Sequence, residues 1–343
     1  MSSAKKIFIA ANPRSGATDR RALVDALRDR LIGLGFDCDV LTNLDQFAEQ
    51  TSAATKSGTL HCVVAAGGDG TVSAIAERTT ADTPIALFPL GTENLFARQL
   101  GIPPSISMVA DMIAAGNVTQ MDAASANGSL FSLMIGVGFD AEIVKSVHLS
   151  RRGHITKARY AWPLLKTTAF YRYPPIHLEF NGFRLDPHMS EFSNVEMTPH
   201  RIESRWVFLV NLPRYAGELS FSPTADPTDG LIDVCCFAKG GLFRGIRYLV
   251  KLWQDRIRTS KHFSIYRTHS VKVTSDTPLS FQTDGDHGGS LPLDVSILPN
   301  RLKLLVPYRT TASVSSTDLS SAGLPDDAPV LPQSSTAFKP RRI

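Results

Sequence analysis

The chain has only four cysteines, and Cys38, Cys62, Cys235 and Cys236 have no metal-ligand spacing. Cys62 and the Cys235–Cys236 pair fall in apolar, strand-like runs where a thiol packs as a small hydrophobe, so no cysteine-built metal centre is expected. No stretch of about 18 uninterrupted apolar residues occurs, which excludes a conventional membrane-spanning helix. The start, Met1–Lys6, is short and polar, and the apolar run after it covers only Ile7–Ala11, so a secretory signal is not expected either. No Gly-x-x-x-x-Gly-Lys-[Ser/Thr] segment is present, which argues against a P-loop. These absences point to a cytoplasmic protein that touches membranes, if at all, from the outside.

The 343 residues, 43% hydrophobic and 20% charged, suit a soluble globular chain of two domains. The formal charge of +4 is unevenly spread. Residues 145–172 carry Lys145, Arg151, Arg152, Lys157, Arg159, Lys166 and Arg172 without an acidic residue. Residues 241–261 carry Arg244, Arg247, Lys251, Arg256, Arg258 and Lys261 against Asp255 alone. Both stretches contain aromatics, a pattern that suits either an anionic surface or a simple solvated face.

The first 117 residues alternate strand and helix: strands at Ile7–Ala11, Phe36–Leu41, Leu60–Ala66 and Ile85–Leu90, helices from about Asp19, Gln46, Val72 and Thr92. Apolar strands alternating with helices predict a parallel sheet covered on both faces, with ligands at the carboxyl ends of its strands. Three unusual loops fall at those ends: Asn12–Gly16, Gly67–Thr71 and Gly91–Asn94. From Val118 to about residue 310 the texture becomes mainly β, with short strands such as Phe131–Phe139, Trp206–Asn211, Leu231–Phe237 and Leu302–Val306. Only two helices are expected there, near Ala141–Ser150 and Leu242–Arg258. The second has Phe243, Ile246, Leu249, Val250, Trp253 and Ile257 at helical spacing. It reads first as a core-packing helix, and more sharply as a membrane-surface helix. Residues 311–343 are rich in Ser, Thr, Ala, Pro and Asp without periodicity and read as a disordered tail.

The most telling segment is Gly67-Gly68-Asp69-Gly70-Thr71. Glycines between a buried strand and a helix let backbone N–H groups approach a phosphate chain, and the helix adds its positive end. A carboxylate there would repel phosphate unless a divalent cation lies between them, so the loop reads as a magnesium–nucleotide site.

Several motifs together resemble the diacylglycerol kinase catalytic-domain family of lipid kinases, which includes the sphingosine and ceramide kinases, and look closest to its soluble bacterial type. They are Asn12-Pro13-Arg14-Ser15-Gly16, the Gly67–Thr71 loop, Gly91-Thr92-Glu93-Asn94-Leu95-Phe96-Ala97-Arg98, Gly136-Val137-Gly138-Phe139-Asp140-Ala141, Asp229-Gly230-Leu231-Ile232-Asp233 and Thr283-Asp284-Gly285-Asp286. They run in order over roughly residues 7–308. The resemblance implies an α/β nucleotide domain (1–117), a sandwich-like β domain (118–310), and an active site in the cleft between them. It implies ATP contacts from Gly67, Gly68, Asp69, Gly70, Thr71, Val72 and Ser73, from Thr92 and from Thr42, with Asn12 near the phosphates. It implies magnesium held by Asp229 and by the carbonyls of Asp226 and Leu231, with Asp69 in the magnesium–phosphate network and Asp286 as general base. The family usually has Glu at the base position, Asp where Leu95 stands, and Asn where Ser73 stands. The implied activity is phosphoryl transfer from ATP to a primary hydroxyl of a membrane lipid, diacylglycerol by default. Sphingoid-base or NAD kinase-like activity, and a catalytically silent lipid- or nucleotide-binding regulator, stay open as alternatives. The expected partners are a lipid at an anionic membrane surface and, as an option, a second copy of the chain; nucleic acid is not expected. On local grounds alone, Thr92 and Asn94 could merely start a helix, and Asp229-Gly230 and Asp284-Gly285 could be plain hairpin turns with Asp286 a solvated carboxylate.

Overall fold

A computed structural model of the chain describes residues 5–11, 20–149, 171–185, 201–213 and 219–307. The elements of the first part are β1 (Lys6–Ala11), α1 (Arg20–Gly33), β2 (Asp37–Leu41), α2 (Leu44–Lys56), β3 (Leu60–Gly67), α3 (Asp69–Arg78), β4 (Pro84–Pro89), α4 (Leu95–Leu100) and α5 (Ile106–Ala115). The strands pair in parallel in the order β4-β3-β1-β2. Residues Cys62–Ala66 of β3 are at most 2% exposed, the signature of a strand covered on both faces. The order reverses between β3 and β1, so the crevice for a ligand opens at the carboxyl ends of those two strands. Strand register puts Ala10 level with Leu41 and Ala65, which sets Thr42 and the glycine loop at the same edge of the sheet.

The second part comprises β5 (Val118–Ala126), β6 (Ser129–Phe131), β7 (Met134–Val137), α6 (Phe139–Leu149), β8 (Ile176–Phe180), β9 (Arg184–Leu185), β10 (Arg201–Ser204), β11 (Trp206–Val210), β12 (Ile232–Phe237), α7 (Leu242–Trp253), β13 (Phe263–Thr268), β14 (Ser270–Thr274), β15 (Ser280–Thr283), β16 (Asp286–Ser290) and β17 (Leu293–Leu305). Seven strands form one sheet, β16-β15-β7-β11-β12-β13-β9. It packs on β8, β14 and β17 through Ile135, Val137, Val207, Leu209 and Val234 against Leu178, Val271, Val273 and Val295. This is the expected α/β half followed by an antiparallel sandwich.

The halves share a sheet. β17 pairs antiparallel with β14 and β5, then reaches β4 in parallel at Lys303 and Leu304. The predicted strand Leu302–Val306 is therefore only the end of a 13-residue element.

Helix α7 corrects the core-packing reading. It turns only Gly245, Tyr248 and Leu252 inward, and leaves Phe243, Ile246, Val250 and Trp253 exposed. The layer beneath is already filled by Trp206, Phe237 and Phe263, against which Tyr248 alone is wedged. The helix also stops at Trp253 rather than Arg258, since Asp255 takes a left-handed φ of 54°. Asn12, most of the basic stretch 145–172, and the predicted tail lie outside the described residues.

Candidate active site

β3 delivers Gly67 buried, and α3 starts at Asp69 with Gly68 as its cap and no side-chain capping bond. Such a start leaves first-turn N–H groups for a ligand or water. The glycines also serve packing. A methyl group on Gly91 would strike the Gly68 Cα and the Asn94 side chain, so the loops after β3 and β4 touch backbone to backbone. Asn94, left-handed at φ 49°, closes its own loop: its Oδ1 accepts the Gly91 N–H at 2.8 Å and its Nδ2 donates to the Gly91 carbonyl at 3.0 Å.

Asp69 joins these loops. Its carboxylate accepts the Leu95 N–H at 2.9 Å and the Phe96 N–H at 3.0 Å, at the amino end of α4. Burial raises its pKa, partly opposed by those N–H groups and reinforced by Asp284. Asp69 thus has a positioning task that sequence reasoning did not assign. Thr42 and Thr92 stand exposed at the strand-end edge, as does Gly70. Two expected nucleotide contacts are corrected at their side chains. Val72 is a core residue, 4% exposed, leaving only its backbone for a ligand. The Ser73 hydroxyl is turned to the second half, 2.7 Å from Ser132 Oγ and donating to Asp284 Oδ2 at 3.1 Å.

Asp284 is the centre of that junction. Thr283 and Asp286 face each other across a two-residue turn with φ of 51° at Asp284 and 89° at Gly285, the backbone of a type I′ hairpin. The Asp284 carboxylate folds back to accept Ser132 N–H (2.9 Å), Ser132 Oγ–H (3.2 Å), Leu133 N–H (2.9 Å) and Met134 N–H (3.0 Å) beside the Ser73 hydroxyl. Burial raises its pKa against the pull of these donors. Gln282 supports the turn from behind, accepting the Gly285 N–H at 2.8 Å and donating to Asp140 at 2.8 Å. Asp140 in turn lies over Gly136, where a methyl group would collide with its carboxylate. The Gly136–Ala141 motif is thereby a brace for the hairpin. Asp286, exposed as the first residue of β16, stands at the tip.

The Asp226–Leu231 segment is a separate tight turn. The Asp226 carbonyl accepts the Asp229 N–H at 3.3 Å, and Asp229 Oδ1 accepts the Leu231 N–H at 2.9 Å. It is gripped from β5 by Asp122, 1% exposed, whose oxygens accept the Gly230 and Asn300 N–H groups at 2.7 Å each. Burial raises the Asp229 pKa, and Asp226 and Asp122 add to the effect against Arg267. Buried Asn211 ties this turn to the hairpin junction by donating to the Asp122 carbonyl (3.0 Å) and the Ser132 carbonyl (2.8 Å). Asp122, Ser132 and Asn211 were not found from the sequence. The available signal was a lone carboxylate between Met121 and Ala123 in a strand.

An oxygen-only turn of clustered carboxyl groups fits a hard divalent cation. Among the described residues no three His, Cys, Asp or Glu side chains gather as a metal cage, so such an ion would lean on carbonyls and water, as magnesium does.

The diacylglycerol kinase catalytic domain matches residues 6–126. The YegS C-terminal domain, described as NAD kinase beta sandwich-like, matches residues 133–306. This chain belongs to the diacylglycerol kinase family. It is a lipid kinase by that membership. Among its relatives are a diacylglycerol kinase of Staphylococcus saprophyticus, 26% identical over 88% of this chain and 96% of that one. Another is the uncharacterized protein sll0036 of Synechocystis, 26% identical over 80% of this chain but only 60% of that protein's length. A crystal structure of a diacylglycerol kinase from Bacillus anthracis str. Sterne shares the kinase fold, with a TM-score of 0.59, 19% identity, and coverage of 89% of this chain and 98% of that one.

Proposed function

We propose that the kinase transfers the γ-phosphoryl group of ATP, with magnesium, to a primary hydroxyl of a membrane lipid, diacylglycerol by default, giving phosphatidic acid. The observation that carries this reading is the Ser73–Ser132–Asp284 junction. It ties the helix that opens at the glycine loop to the hairpin bearing Asp286. A phosphate-binding loop and a carboxylate from opposite halves then meet at one cleft, the arrangement that positions donor and acceptor for transfer.

In this reading Gly68 and Gly70 offer backbone N–H groups to the phosphates, and Thr92, Thr42 and Asn12 line the nucleotide. Asp69 holds the Gly91–Asn94 loop in register with Gly68. Asp286 takes the proton of the attacking hydroxyl; its side chain is a methylene shorter than the glutamate usual in the family, so the acceptor must come closer. Asp229, with the carbonyls of Asp226 and Leu231, would hold magnesium in the turn gripped by Asp122. Bound magnesium supplies positive charge that offsets the anionic oxygens of the nucleotide.

The test is incubation of the purified chain with γ-labelled ATP, magnesium and mixed micelles of a total lipid extract. A labelled product migrating as phosphatidic acid is expected. A labelled sphingoid base or NADP would move the acceptor, and ATP binding without any labelled product would make the chain a silent nucleotide-binding relative.

A further inference from the structure

We infer that α7 is the element by which this kinase docks on an anionic lipid bilayer, with Phe243, Ile246, Val250 and Trp253 entering the interface and Arg244, Arg247 and Lys251 meeting the headgroups. The inference rests on the membrane-lipid acceptor proposed above.

At about 100° per residue, α7 divides into three sectors. Gly245, Tyr248 and Leu252 are buried against the sandwich. Leu242, Trp253, Ile246, Val250 and Phe243 fall together over roughly 100° of arc and are exposed by 37%, 79%, 41%, 47% and 86%. Arg247, Lys251 and Arg244 fill the remaining arc. Among the described residues nine large apolar side chains are exposed, and these five form the one continuous stripe among them. A helix that shows solvent a broader apolar face than it buries, beside an all-cationic face, has the makeup of an interfacial helix.

Charge selects the occupant. Leu242–Trp253 contains no acidic residue, and Arg256, Arg258 and Lys261 follow against Asp255 alone. A second copy apposed by two-fold symmetry would bring this cationic sector against itself. A bilayer of anionic lipid offers apolar depth and negative charge at the same surface.

The helix is mounted firmly and near the chemistry. Tyr248 meets Trp206 edge-on at 5.8 Å, and Trp206 stacks on Phe139 at 4.3 Å. Phe139 precedes Asp140, which binds Gln282, the residue that holds the Gly285 N–H at the Asp286 hairpin. An acceptor lipid and the docking helix are thus served by one packed unit.

The test uses the full chain in vesicle sedimentation, with phosphatidylcholine alone and with about a third phosphatidylglycerol. Wild type should partition onto the anionic vesicles, and Phe243→Ser/Trp253→Ser should lose about tenfold. Arg244→Gln/Arg247→Gln should lose about fivefold per cation on anionic vesicles only. Brominated acyl chains should quench emission in wild type more than in Trp253→Phe. Equal binding by the Ser double variant, or no difference in quenching, would overturn the proposal. So would conversion of a wild-type dimer to monomer by the same substitutions, which would make the stripe a contact between copies. The binding readouts need no turnover: vesicle binding with these variant effects but no lipid phosphorylation would sink the acceptor reading alone. Phosphorylation of short-chain dispersed diacylglycerol by the Ser variant at wild-type rate, with loss only on vesicles, is the expected activity pattern.

Discussion

The protein carries two Asp-Gly turns whose local sequences are nearly interchangeable, and it uses them in opposite ways. At Asp284-Gly285 the aspartate turns inward and gathers five donors from α3 and the Ser132–Met134 segment. At Asp229-Gly230 the aspartate binds only the N–H two residues on, and the grip on the turn comes from outside, through Asp122. The first turn is a latch that is complete as folded. The second is a frame whose carboxyl groups crowd one another and would be relieved by a cation. The dipeptide decides the backbone, and distant partners decide the task.

The largest effect is expected from removing the latch. Asp284→Ala strips the acceptor from donors buried with it and should cost about 3 kcal/mol, seen as a fall of roughly 6 °C in Tm. It should also abolish lipid phosphorylation. An unchanged Tm would show that the junction does not hold the halves. Next is Asp286→Asn, at the same hairpin but exposed. Activity should drop by about 10²–10⁴-fold while Tm stays within the roughly 0.5 kcal/mol of a surface substitution. Full activity in this variant would remove Asp286 from the chemistry even if the enzyme proved to be a kinase.

The frame should respond to metal where the latch does not. Magnesium at about ten times its dissociation constant should stabilise wild type by about 1.4 kcal/mol, read by calorimetry as a few degrees. Asp229→Asn should lose that shift, and Asp286→Asn should keep it. The smallest effect is a pH slope. Without magnesium the folded Asp229 titrates above its ordinary value because of burial and its acidic neighbours. The folded state therefore holds more protons than the unfolded chain between the raised value and the ordinary one. Stability from this group rises as pH falls through that window. Wild type should gain on Asp229→Asn on acidification in denaturant melts, and saturating magnesium should flatten the difference.

What was legible in the sequence is what the backbone alone encodes. The parallel sheet followed from continuous apolar runs, and the glycine loop from its position between a buried strand and a helix. What was hidden depends on partners far along the chain. Asp122 lies over a hundred residues from the Gly230 N–H that it binds, and Ser73 over two hundred from Asp284. No local pattern marks such pairs. In α7 the periodicity announced an apolar stripe, but a stripe looks the same whether it faces a core or a surface. Only the aromatic layer already filling the space below decides that Phe243 and Trp253 point away.

The long strand β17 sets the order in which the molecule can be finished. The open edge of β4, in the first third of the chain, is closed by Lys303 and Leu304. During synthesis the nucleotide-binding half therefore waits, with a sheet edge unpaired, until almost everything else has left the ribosome. Its last hydrogen bonds are also its most non-local, which favours slow folding and early dependence on chaperones. A nascent chain cut before Leu293 would lose the sandwich's central strand and the seam of the first sheet in one stroke.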